Sequence, residues 1–215
     1  MKKIGYLVHH TEVKEEQLNV SGTSLFHKDV NVKQMKNLGQ CKVKGNVGSV
    51  KLINKGTISI EHCHVEFRKN IGTLRTNGII AKTIHTSGNF QCNGDVKAEL
   101  FHSKGTVNIK GNLVSNSILM EIGPLSYVQR MISTESIQIK ASKLNVISLV
   151  IKKITVQQLE GKSIYLENIN AQNVIGENVI VGPNCNIDEI SYQEQISIHP
   201  KSKVSSILKE GGHKT

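Results

Sequence analysis

His62-Cys63-His64 is the most metal-like cluster in the sequence. On a strand, where side chains alternate between faces, His62 and His64 point the same way and could share a Zn²⁺ or Ni²⁺ ion. His85 and His102 follow at what read as one and two turns further on, which would make a vertical imidazole array. The plainer reading is a surface strand that carries His outward, with Cys63 inside. No carboxylate or Cys stands at a ligand spacing that completes a site, so the expectation is no bound metal.

Other chemistry is thinner. Asn178-Val-Ile-Val-Gly-Pro-Asn-Cys-Asn-Ile187 looks like a piece of a hexapeptide-repeat acyltransferase, a class in which a His acts as general base at a subunit junction. Those enzymes repeat an aliphatic residue every six positions over many coils, and here that beat is broken in most turns. No GxxxxGK[ST] loop and no GxGxxG between a strand and a helix is present. Tyr127-Val-Gln-Arg130 is the nearest thing to a basic patch with aromatics, a weak signal for nucleic acid. A lysine-bearing face on anionic lipid, with Ile4-Gly5-Tyr6-Leu7-Val8 dipping into the interface, is a comparable alternative. The expectation is no catalytic residue and no cofactor. A basic adaptor for membrane or nucleic acid, and an acyltransferase, stand as rival functions.

The elements that would position these residues announce themselves through a repeat. Glycines at 22, 39, 56, 72, 88, 105 and 123 are spaced by 17, 17, 16, 16, 17 and 18 residues. After each comes strand alternation: Cys41/Val43, Ile58/Ile60, Phe90/Cys92 and Val107/Ile109 are apolar at the second and fourth positions. A second short strand follows in each period, at Val50/Leu52, Val65/Phe67 and Val96/Ala98. Beyond Gly123 the alternation recurs with fewer glycines, at Ile137/Ile139, Val146, Leu149/Ile151, Ile164/Leu166 and Val179/Val181. The acidic stretch Thr11–Leu18 is the only helix candidate.

One such turn cannot bury its apolar face alone; stacking pairs each strand with a parallel neighbour above and below. The predicted fold is therefore all-β, a single-stranded parallel β-helix of about eleven turns, a rod on the order of 50 Å long at the usual interstrand spacing. Drifting turn lengths favour the right-handed form. The predicted boundaries are an N-terminal segment or cap over 1–19, the helix over 20–208 and a tail over 209–215. Ile4, Leu7, Val8 and Leu18 would form the covering face of the cap. A chain with 4% aromatics must fill its core with Ile, Val and Leu. The four Cys, with no CxxC pair, read as buried small hydrophobes in a reduced cytoplasm. A net charge of +10 favours anionic partners, though its scattered lysines read first as solvated outer faces.

From about Gly105 onward the residues carry a family likeness. Gly161-Lys-Ser-Ile-Tyr-Leu-Glu-Asn-Ile-Asn-Ala-Gln-Asn-Val-Ile-Gly-Glu-Asn-Val-Ile-Val-Gly-Pro-Asn-Cys-Asn-Ile187, continued by Asp-Glu-Ile-Ser-Tyr192, resembles the longer bactofilin-like proteins of Bacillus-type bacteria. Gly111-Asn-Leu-Val-Ser also resembles the coil of this polymer-forming cytoskeletal family. The likeness is good over about 100–208 and diffuse over 20–100. It implies a right-handed parallel β-helix that polymerises end to end without nucleotide, a cytoplasmic or membrane-associated scaffold, and no catalysis. The core here is longer than usual, Pro-rich tails are lacking, and no Phe follows Phe101, whereas members often carry one near the C-terminal end of the core that takes part in polymerisation. The implied partners are the chain itself or a related bactofilin, with the inner membrane surface as a further contact and nucleic acid disfavoured. Independently, solenoid ends leave backbone groups unpaired, and Leu208–Thr215 reads as a poor cap. The residues expected to carry self-assembly are Leu25 and Phe26 in the first turn, and Val204, Ile207 and Leu208 in the last.

Overall fold

A computed structural model describes residues 2–4, 7–141 and 152–210. The expected strand positions Val146, Leu149 and Ile151, and the end of the tail, lie outside the described residues. Among those described, sixteen strands form one continuous parallel sheet wound on itself, with no helix.

The winding is read from a single inward column. His9, Phe26, Val43, Ile60, Thr76, Cys92, Ile109, Val128, Val156, Ala171, Ile187 and Val204 pair in succession, each with the next, in parallel register. Twelve rungs make eleven steps, so the solenoid has about eleven turns, as the glycine period predicts. Most steps are 15 to 19 residues. The step from Val128 to Val156 is 28 and takes in the undescribed 142–151.

Each coil has three faces. The second face carries inward Val13, Val30, Val47, Cys63 and Ile79. The third carries Leu18, Met35, Leu52, Arg68, Ile84 and Phe101. Nearly all these side chains are fully buried, and together they make one continuous core along the axis. Each buried Val, Leu or Ile contributes about 1.5–3 kcal/mol relative to exposure. The corner between the second and third faces takes two consecutive outward residues: Val65 is inside, Glu66 and Phe67 are not, and Arg68 is inside again.

The corner after the third face is where glycine is required. A Cβ on Gly56 would overlap the carbonyl oxygen of Gly39, and one on Gly72 would overlap that of Gly56. The residue two before each glycine closes the same corner. Asn37 Nδ2 donates to Gly39 O at 3.1 Å, and Asn54 Nδ2 to Gly56 O at 3.1 Å.

Two expectations at the N-terminus change. Val13–Val20 is a strand in register with Val30–Asn37, not a helix. Its ladder to Val30–Asn37, with Val13, Leu18 and Val20 buried around exposed Lys14–Gln17, outweighs the acidic composition. Lys2–Ile4 and Leu7–His9 also pair with later coils, so winding begins ahead of residue 20. Of the expected covering face, Leu18 is core, whereas Leu7 and Val8 are exposed.

Candidate functional site

The ends of the coil differ from its walls. At the C-terminal end, Lys203–Lys209 pairs with Asn186–Ile198, and among the described residues no strand pairs with its far side. Gln195–Ile198 likewise pairs only with Asn178–Val181 below it. Val204 and Ile207 continue the inward columns of Ile187 and Ile190, yet Ile207 is 47% exposed because nothing stacks on it. Ile196 and Ile198 continue the columns of Val179 and Val181 and are only partly buried. Leu208 is exposed on the outer side of the last strand. The uncovered end of the coil thus carries, besides Val204 and Ile207, Ile196 and Ile198, two residues that the sequence alone did not single out.

The N-terminal pair is placed differently. Phe26 is wholly buried, and its ring stacks on that of His9, one coil nearer the end, with centroids 4.7 Å apart. Leu25 pairs with Val8 on the same rung. Both are therefore one coil in from the end. On the outermost rung of the second face, Val13 is buried below Val30, while Glu15, below Val32, is exposed. The C-terminal end thus carries apolar residues in its inward columns, and the described N-terminal end carries a carboxylate beside Val13.

The imidazole array is not built. His62 stacks against Gly78 and His64 against Ile80, both on the second face. His85 and His102 pair with each other on the third face, where their rings meet edge-on at 5.4 Å. Stepping by 16 or 17 from His62 lands on Gly78 and then Asp95, so the apparent spacing to His85 crosses a corner. Among the described residues no group of three His, Cys, Asp or Glu could hold a metal ion. His62 and His64 line a groove of about 630 Å³ with Asn46, Asn77 and Asp95. His85 and His102 line another of about 410 Å³ with Phe67, Lys69 and Lys104.

The four cysteines are free and buried. Burial pushes the Cys41 thiol up to about 12 and the Cys63 thiol up to about 11, far from nucleophilic. Between Cys63 and Cys92 lies a group that sequence reasoning missed. Arg68 is fully buried, its guanidinium 5.0 Å from the Phe90 ring, and none of its three nitrogens has a hydrogen-bond partner among the described residues. Burial lowers its pKa to about 10.

In the acyltransferase-like stretch, Val179, Val181, Cys185 and Ile187 all face the core, and the chain turns at Asn184 with φ 61°. These residues serve the coil. Arg130, in the expected basic patch, is engaged by Glu160 at 3.1 Å. No described helix is long and apolar enough to cross a membrane.

Comparison with known proteins adds sequence relatives but no function. The chain is 37% identical over 57 residues to the uncharacterized protein YhbF of Bacillus subtilis (strain 168), covering 26% of this chain and 24% of that one. It is 27% identical over 104 residues to the uncharacterized protein YhbE of the same organism, covering 47% and 44%. The matched segments span less than half the length of either relative. No family model matches. No solved structure gives a significant match.

Proposed function

We propose that this chain is a bactofilin-like structural subunit that assembles end to end, without nucleotide and without catalysis, into a cytoplasmic scaffold. A β-solenoid is compatible with such a role. The observation that carries the reading is the C-terminal end, where Ile196, Ile198, Val204 and Ile207 sit at core positions with no coil above them. An unpaired strand edge beside exposed apolar side chains is a template for another strand. A second coil end placed there would pair the backbone of Lys203–Lys209 and complete the apolar columns. The scattered surface lysines would keep rods apart sideways, so that growth runs along the axis.

The test is negative-stain electron microscopy of the purified chain beside Val204→Arg and Ile207→Arg variants. Axial filaments or end-joined rods in the parent, absent in both variants, support the reading. Single rods in the parent at every salt concentration refute self-assembly. A Lys82→Arg variant, altered on an exposed wall position, should assemble like the parent.

A further inference from the structure

The groove on the third face bears on recognition rather than assembly. Lys69, His85 and His102 are outward residues of successive coils, paired Lys69 to His85 and His85 to His102. Lys104 follows two residues on, at the glycine corner. All four line one groove of about 410 Å³, floored on one side by Phe67, whose ring lies 5.9 Å from that of His85. Lys51 Nζ stands 5.9 Å from the centroid of the same ring. Against these basic groups stands Glu121, which pairs with Lys104 at 2.8 Å. His102 Nε2 is buried in the groove wall with no hydrogen-bond partner among the described residues.

Stacked coils repeat their outward positions at the interstrand spacing of about 4.8 Å. Basic residues on consecutive rungs are therefore held close together on a rigid frame, where their mutual repulsion cannot relax. His102 accordingly resists protonation, first through partial burial and then through His85 and Lys104, with Glu121 opposing. An anion between the rungs would relieve that repulsion and supply acceptors to Lys69, Lys104 and both imidazoles. The geometry points to a binding site for a phosphate dianion, as a free phosphate ester or as the monoester headgroup of a lipid, held between Lys69 and Lys104 over the His85–His102 pair. Two lysines and two imidazoles offer more donors than a carboxylate can accept, and the spread of charge matches three phosphate oxygens.

Binding should couple to pH through the groups facing the groove: Lys69, His85, His102 and Lys104, with Glu121 and Lys51 at its margins. An anion favours the charged imidazoles, so affinity rises as pH falls through the histidine range. Sulfate, a dianion throughout that range, isolates this effect from the phosphate's own titration.

The experiment is an NMR titration of the histidine ring signals of the full chain with inorganic phosphate and with sulfate, at ionic strength matched with chloride. Saturable shifts confined to His85 and His102 are expected, with sulfate bound about tenfold more tightly at pH 6 than at pH 8. Lys69→Met/Lys104→Met should abolish saturation while circular dichroism shows an unchanged fold, since both side chains point outward. Shifts no larger than those of chloride, or saturation that survives the double variant, overturn the proposal. Sedimentation with phosphatidic acid vesicles against phosphatidylcholine vesicles then separates the sources. Pelleting with the former, lost in the double variant, supports the lipid headgroup. Phosphate binding without pelleting supports the free ester.

Discussion

Asn54 donates its side-chain amide to the Asn70 carbonyl oxygen one coil further on, at 2.7 Å, inside a core that otherwise excludes water. Asn37 does the same to Asn54 at 2.7 Å, and Asn70 ends the run on the Thr86 hydroxyl at 3.0 Å. Each of the three amides also donates to the carbonyl of its own corner glycine. Replacing Asn54 by Ala would strand the Asn70 Oδ1 acceptor, whereas the Asn37 amide would keep its bonds to the Gly39 and Thr57 carbonyls. An unmet buried polar group costs about 1–3 kcal/mol, so the expected loss in chemical denaturation is about 2 kcal/mol. A loss below about 1 kcal/mol would remove the ladder from the account of stability.

The ladder is unfinished at one end. Asn37 Oδ1 is buried without a partner among the described residues, and the position below it is Val20, two residues before Gly22. Val20→Asn would place an amide there with the same relation to its corner glycine. A gain of about 1 kcal/mol is expected from one satisfied acceptor, read as an upward shift of the denaturation midpoint with unchanged slope.

Arg68 sits in the third-face column between Leu52 and Ile84. Replacing buried ionic groups by apolar residues of similar volume is often stabilising by about 1–4 kcal/mol, and here the cation lacks even a hydrogen-bonding partner. Arg68→Met should therefore raise thermal stability. A variant less stable than the parent would mean that the guanidinium is satisfied in solution by a group the core admits.

His102 gives a pH signature. Its pKa is lowered in the folded chain, chiefly by burial. The unfolded chain then binds the proton more readily, so stability holds above the ordinary value of 6.5 and declines as pH falls through it. Thermal melts from pH 7.5 to pH 5 should show this decline, and His102→Gln should flatten it. Equal slopes for parent and variant would exclude His102 as a contributor.

Much of this architecture was legible, because seven glycines at near-constant spacing mark the corners, and at six of them, Gly39 to Gly123, a side chain would meet the backbone of the coil before. The strands after them alternate as read. What failed did so at the other corners. Alternation carried through Val65 would put Phe67 inside and Arg68 out; the corner inserts one extra outward residue and inverts the phase. The same miscount joined His62 and His64 to His85. The asparagine ladder was visible in principle, as Asn two residues before Gly39, Gly56 and Gly72, but only register shows that these amides meet. The C-terminal end was read from its apolar residues, and its partners Ile196 and Ile198 were missed because an inward Ile looks the same in sequence whether or not a coil covers it.

The rungs pair across steps of mostly 15 to 19 residues, and each coil touches only the one before and the one after. Contacts therefore close mostly over short sequence separations. A finished coil is a mould for the next, so the chain can wind up as it leaves the ribosome, without waiting for its far end. A lesion in one coil, such as an unwelcome side chain at Gly72, would halt that winding locally and leave two sound half-rods joined by a slack link.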